Sequence, residues 1–285
     1  MRFLYITDMH GDKNKYEKIL EVAIKEKIKY IIDGGDILPK QIKRLEGQPI
    51  YIREFLRNYF DRLRKYNITY LGMLGNDDIF PMDNLFNELC EKYNNVHNIA
   101  SNKIELEGYE FIGMNFILDH PFGCKDRVIM EDNFVFQQQI SKPFYYSKHG
   151  NRIDVSNWFE YARNRLPKMK DILNTLPKPI NKQKTIYIMH IPPADLKLGQ
   201  LLYRDLDVGS KDVYNFIKLN QPLLTLHGHI HESPDTKNGK WNNVIDNTTC
   251  IQPGQTEANS NVLIYVDADL TNQKYTREKV SINSI

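Results

Sequence analysis

Long apolar runs are missing from this 285-residue chain. No stretch approaches the roughly 20 residues that span a bilayer, so a membrane-spanning role drops out. Cysteine is scarce: Cys90, Cys124 and Cys250 are far apart and form no CxxC pair. That excludes a disulfide framework and any local thiolate zinc site, and the three are expected to be reduced. An excess of one charge sign is also missing, since 38 Lys+Arg against 36 Asp+Glu leaves +2. The balance disfavours duplex nucleic acid as a partner, although a local basic groove stays open. The opening Met1–Thr7 run meets Asp8 and His10 too early for a signal-peptide core, so a cytoplasmic location is expected. What is present, 41% hydrophobic and 26% charged residues, excludes a disordered chain and suffices for a sizeable core without staples.

Strands and helices alternate in the first third. Arg2–Thr7 reads as a buried strand and residues 12–27 as a helix, with Tyr16, Ile19, Leu20 and Ala23 at helical spacing. Tyr30–Asp33 is a second strand, residues 52–63 a second amphipathic helix, and Thr69–Leu74 a third strand. This alternation predicts parallel strands with crossovers. A hairpin follows over 103–106 and 109–115. Residues 118–182 have weak periodicity, apart from a helical stretch over 158–176 that Pro167 interrupts or kinks. A segment this long is expected to be functional or mobile. Strand Thr185–Met189, a helix over 210–219 capped by Ser210, strand Leu223–Leu226, short strands around an Asn238-Gly239 turn and a last strand over 274–282 complete the pattern. The reading is one α/β domain over 1–285 with an inserted or capping segment at about 118–182.

Potential metal ligands sit just past the C-terminal ends of five of these strands. They are Asp8 and His10, Asp36 in Gly34-Gly35-Asp36, Asn76 in Gly75-Asn76-Asp77-Asp78, His190, and His229 and His231 in Gly228-His229-Ile230-His231. In open α/β sheets that edge is where ligands bind. Carboxylate, imidazole and amide donors without thiolate suit Mn²⁺, Fe, Zn²⁺, Ni²⁺ or Co²⁺. The set is too large for one ion and suits two divalent ions about 3.5–4 Å apart, sharing a carboxylate.

The ordered set Asp8/His10, Gly35-Asp36, Gly75-Asn76, His190 and Gly228-His229-Ile230-His231 resembles the calcineurin-like metallophosphoesterase superfamily. The resemblance implies a four-layer α/β (α+β) sandwich, two mixed sheets flanked by helices, with a dinuclear site at one edge. It assigns Asp8, His10, Asp36 and His231 to one metal, and Asp36 as the bridge with Asn76, His190 and His229 to the other. It implies hydrolysis of a phosphoester, a small molecule or nucleotide, by a metal-bridging hydroxide, with Asp36, Asn76, Asp77 and His190 at the catalytic centre. A homo-oligomer is compatible with it. His120-Pro121-Phe122-Gly123, Asp207-Val208-Gly209-Ser210 and Gln221-Pro222 before Leu226-His227 look like a small prokaryotic subgroup.

One position departs from the pattern. Many members carry Gly-Asn-His-Asp or Gly-Asn-His-Glu, and here the histidine slot holds Asp77. An aspartate beside two dications is a poor general acid, which favours diesters over monoesters with poor leaving groups. His120 and His149, in the 118–182 segment, are the other proton-donor candidates, each set against the reading of a solvated loop residue. Lys125, Arg127 and Arg204 are candidate phosphate contacts, set against ordinary surface positions. His227 is expected to be a core residue. The alternative function is a non-catalytic scaffold of the same fold, as in a retromer subunit, favoured only by Asp77. A nuclease of the double-strand-break-repair branch would need a basic groove and an extra domain that are not seen.

Overall fold

Short apolar runs build two mixed six-stranded sheets in the computed structural model, which describes residues 1–40, 43–132, 134–202, 205–255 and 260–283. The first sheet contains β1 (Arg2–Ile6), β2 (Tyr30–Asp33), β3 (Thr69–Gly72), β4 (Val96–Asn98), β13 (Val262–Asp269) and β14 (Lys274–Ser281). Its order is β14-β13-β1-β2-β3-β4, parallel from β1 to β4 and antiparallel at β13 and β14. The second contains β5 (Lys103–Leu106), β6 (Tyr109–Met114), β9 (Thr185–Met189), β10 (Leu224–Leu226), β11 (Asn242–Ile245) and β12 (Thr248–Ile251). Its order is β11-β12-β10-β9-β6-β5, with a parallel centre and an antiparallel hairpin at each edge.

Strand periodicity sorts the side chains into layers. In β1, Phe3 and Tyr5 point between the sheets, where they meet Phe111, Ile186, Ile188 and Leu226 of the second sheet. Leu4 and Ile6 point outward. There they pack with Tyr16, Ile19 and Leu20 of α1 (Lys13–Lys25), Tyr59, Phe60 and Leu63 of α3 (Arg57–Lys65) and Phe86 of α4 (Met82–Cys90). The outer face of the second sheet, with Ile112, Met114, Tyr187 and Met189, carries α5 (Trp158–Arg165), α6 (Met169–Thr175) and α7 (Lys211–Asn220). The result is the four-layer sandwich that the resemblance implied. No helix of the described residues is long and apolar enough to cross a membrane.

Two local expectations change and one alternative is decided. Of the two readings of the 158–176 stretch, interruption or kink, the structure has the interruption: two helices separated at Pro167, with Leu166 and Lys168 extended. The second amphipathic helix begins earlier, as α2 (Arg44–Ile50), and passes through a π-helical turn (Tyr51–Leu56) into α3. That wide turn begins two residues after Pro49, which has no N–H to donate. Asn238-Gly239 precedes β11 and does not join two strands; the β11–β12 hairpin turns at Asp246-Asn247. The weakly patterned 118–182 segment supplies much of the second outer layer through α5 and α6, and it also forms a small hairpin of β7 (Phe144–Tyr146) and β8 (Arg152–Asp154).

Candidate metal centre

Each candidate ligand sits on the loop that leaves a parallel strand, and backbone hydrogen bonds knit these loops together. Asp8 N–H donates to Gly35 O at 2.9 Å and His10 N–H to Asp36 O at 2.8 Å. Gly228 N–H donates to His190 O at 2.9 Å. Asp8, His10, Asp36 and His229 all adopt left-handed backbone, with φ of 58°, 46°, 55° and 69°. Non-glycine residues rarely sit there, and such strain concentrates at functional sites. Two glycines make the close approach possible. Gly35 has φ +115°, and a Cβ there would lie 2.8 Å from His190 Nδ1. A Cβ on Gly75 would collide with Asp36 N and Oδ1.

Two groups of side chains converge. Donor atoms of Asp8, His10, Asp36 and His231 all lie within 4.8 Å of one another. His10 Nε2 is 2.9 Å from His231 Nε2, and His231 Nε2 is 3.4 Å from Asp8 Oδ1. In the second group, Asn76 Oδ1 lies 3.0 Å from His190 Nε2 and 2.8 Å from His229 Nδ1. Asp36 Oδ2 joins the two, 3.8 Å from His10 Nε2 and 3.4 Å from His190 Nε2. His190 Nδ1 donates to Gly34 O at 2.9 Å, a contact that turns its Nε2 toward Asp36 and Asn76. Asp8 is fixed by Thr7 Oγ1 at 2.9 Å and by His229 N–H at 3.0 Å.

The donor set fits divalent cations. Imidazole nitrogens face one another and face acceptor oxygens, an arrangement that positive charge between them would relieve. The electrostatics of the site agree. Burial alone would raise the Asp8 and Asp36 carboxyls, but the neighbouring imidazoles outweigh it, holding Asp8 at about 2 and Asp36 well below the carboxylate range. Burial lowers His190, yet Asp36 and Asp8 prevail and raise it to about 9. Burial and neighbouring imidazoles push His10 and His229 down to about 4, so both are neutral and able to ligate. His190 is therefore expected to carry a proton at pH 7 in metal-free protein, which a cation would displace. Metal uptake at pH 7 is expected to release on the order of one proton from this group, with affinity falling as the pH drops below about 9. Calorimetry in buffers of different ionisation heat measures it, and buffer-independent heats would contradict it.

The structure also places the remaining candidates. Asp77 accepts from Arg44 Nη2 at 2.8 Å, its N–H donates to Asp36 Oδ1 at 2.7 Å, and its Oδ2 lies 3.8 Å from His10 Nδ1. His120 is no solvated loop residue. Its ring is 6.4 Å from that of His229, its Nε2 is buried, and burial with Lys125 and His229 nearby holds it well below the usual histidine range. His149 is exposed, as a solvated loop histidine. Lys125 and Arg127 are neither surface residues nor free phosphate contacts. Lys125 is buried on Asp119 at 2.7 Å, and Arg127 clamps Gly75 O at 2.6 Å and the Asp83 carboxylate. Arg204 lies outside the described residues. His227 is a core residue, bonded to Met189 O, Ile191 O and Thr225 Oγ1.

Sequence reasoning missed two residues. Arg44 stands 33 positions before its partner Asp77, on a helix not expected to begin there. Asp78 is a buried brace whose carboxylate accepts from Ile37, Leu38 and Gly75 N–H at 3.0, 2.7 and 2.7 Å. Its signal was its place two residues after Asn76. The three cysteines are free and buried, and none belongs to the ligand group.

Residues 1–233 match the family model described as calcineurin-like phosphoesterase. Among solved structures, TT1561 of Thermus thermophilus is similar at 16% identity and a TM-score of 0.57, over 99% of both chains. A dimetal phosphatase from Danio rerio is similar at 9% identity and a TM-score of 0.56, over 99% of this chain and 96% of that one. At these identities the likeness shows the fold. No curated protein matches.

Proposed function

Since this chain belongs to the calcineurin-like phosphoesterase family and is a metal-dependent phosphoesterase, we propose that it hydrolyses phosphodiesters or nucleotide-type esters with two divalent cations. The observation that carries the reading is the shared oxygen, Asp36 Oδ2, between the His10 group and the His190 group. Asp8, His10, Asp36 and His231 would hold one ion, and Asp36, Asn76, His190 and His229 the other. When bound, such a pair supplies positive charge to phosphoryl oxygens and makes a bridging hydroxide available near neutral pH.

The rest of the work falls to the chain itself. Gly34 O fixes the His190 tautomer, Asp78 and Arg127 hold the Gly75–Asp78 loop, and the left-handed turns keep the donors aimed at one another. Asp77 is committed to Arg44 at 2.8 Å, which turns its side chain to the guanidinium and not to a leaving oxygen. That supports diesters with good leaving groups. A groove of about 320 Å³ beside His10, lined by Lys13 and Lys40, Asp12 and Glu54, and Tyr51 and Phe55, leaves room for a second ester arm. The scaffold alternative rested on Asp77 as a lesion, and its pairing with Arg44 removes that support. Residues 118–182 serve as a capping segment of a single domain, and the free thiols suit a reducing, cytoplasmic setting.

The test is elemental analysis of metal-replete protein together with a substrate panel in Mn²⁺. Two ions per chain and aryl diesters cleaved at least ~10²-fold faster than alkyl diesters are expected, since a missing general acid is worth about 10²–10⁴-fold. At most one ion, or equal rates on both ester classes, would sink the reading.

A further inference from the structure

The resemblance gives the histidine slot a contact to phosphate, yet here it holds Asp77, a carboxylate, which by itself repels phosphate. Besides the ligand candidate His10, whose Nδ1 also lacks a hydrogen-bond partner, two buried donors nearby are unused among the described residues. Arg44 spends Nη2 on Asp77 Oδ1 at 2.8 Å, while its Nη1 is buried with no hydrogen-bond partner among the described residues. His120 receives the Phe122 N–H on Nδ1 at 3.2 Å, which places the ring proton on Nε2, and Nε2 is likewise buried and unpartnered. Buried donors left unpaired are costly, and a native site that keeps two of them at one edge has a use for them.

Both belong to the same edge of the centre. Asp77 links Arg44 to the ligand groups, because its N–H is bonded to Asp36 and its Oδ2 lies 3.8 Å from His10 Nδ1. The His120 ring lies 6.4 Å from that of His229. Neither donor is free to swing away. Arg44 is pinned by Asp77, with 20% of its side chain exposed. The His120 loop is pinned from behind: Lys125 Nζ bonds the His120 carbonyl and Asp119, and Asp119 also takes Trp158 Nε1 at 2.9 Å and Gln139 Nε2 at 3.0 Å.

We propose that Arg44, aimed by Asp77, and His120, carried by the 118–182 segment, form a two-donor cradle for the phosphoryl oxygens of the substrate, in place of the histidine at position 77 of the family pattern. The inference rests on the phosphoesterase reading and names the contacts that would recognise the substrate's charge. Arg44 and His120 touch substrate; Asp77 is a positioning residue. The guanidinium suits this division, because its planar fork can hold a carboxylate with one arm and a phosphate with the other.

The probe is inorganic phosphate, titrated by calorimetry into Zn²⁺-loaded full-length protein, with metal content and thermal midpoint measured on every variant. Arg44→Ala and His120→Ala should each weaken phosphate at least tenfold with metal content unchanged. Arg44→Lys, which keeps the charge and loses the fork, should fall well short of wild type, and His120→Gln, which keeps an N–H donor, should recover part of the loss. Asp77→Asn separates positioning from bare charge. Removing a negative charge should tighten phosphate if charge alone matters, and should weaken it severalfold if Asp77 aims Arg44. Phosphate affinity within twofold of wild type in both alanine variants, or tighter binding by Asp77→Asn, overturns the cradle while leaving the two-metal reading intact. A wild-type protein that takes up no metal overturns both.

Discussion

Asp36→Asn is expected to abolish metal-dependent phosphoester hydrolysis while leaving the fold intact. Only Asp36 belongs to both ligand groups, with Oδ2 3.8 Å from His10 Nε2 and 3.4 Å from His190 Nε2. Its Oδ1 accepts the Asp77 N–H at 2.7 Å, and an amide oxygen can still accept that bond. The substitution therefore removes charge and little else. A neutral amide is a poor bridge between two cations, and the imidazoles around it lose the partner that raises His190. A loss of at least ~10²–10³-fold in turnover is expected, the scale of deleting one electrostatic group from a preorganised site, and greater if an ion is lost with it. Turnover of an aryl diester, metal content and circular dichroism on the same sample measure it. Full activity in a folded, two-metal Asp36→Asn protein would mean that the bridge lies elsewhere.

The ligands could be read from sequence because each follows a short apolar run that could only be a strand. Arg2–Ile6, Tyr30–Asp33, Thr69–Gly72, Thr185–Met189 and Leu224–Leu226 all lie parallel in the centres of their sheets, and parallel strands buried on both faces read as continuous apolar runs. Their loops therefore meet at one edge. What escaped was of two kinds. Elements with weak patterns were lost: β4 is three residues long, and α2 contains Gly47 and Pro49, which argue locally against a helix. Tertiary contacts supply its stability, through Gln48, which is fully buried and bonds Pro39 O, Asp77 O and Ile79 N–H. Pairings across long separations were the second kind. Nothing in Arg127 as a letter distinguishes a surface cation from one clamping Gly75 O from 52 positions away. Lys125 shows the same limit, because its burial follows from Asp119 and Trp158 and from no pattern of its own.

That lysine carries the second large expected effect. Asp119 and Lys125 form an ion pair at 2.7 Å with neither side chain exposed, beneath the loop that bears His120. Burial lowers the Lys125 ammonium and raises the Asp119 carboxyl, so each depends on the other to stay charged. Asp119→Leu would leave the Lys125 ammonium buried without its counter-charge, and removing one partner of such a pair typically costs about 3–5 kcal/mol. Lys125→Met should cost less, because Trp158 Nε1 and Gln139 Nε2 still donate to Asp119. The double replacement removes the stranded charge but leaves Trp158 Nε1 unsatisfied, a penalty of about 1–3 kcal/mol. Its cost should therefore fall clearly below the sum of the singles, with a coupling of about 2 kcal/mol or more in a double-mutant cycle read by urea unfolding. Additive losses would show that the two charges do not sustain each other. The cycle also bears on the site, since Asp119 and Lys125 grip the His120 backbone: the more stable of the two, Lys125→Met, should bind phosphate more weakly than wild type although position 125 touches no ligand.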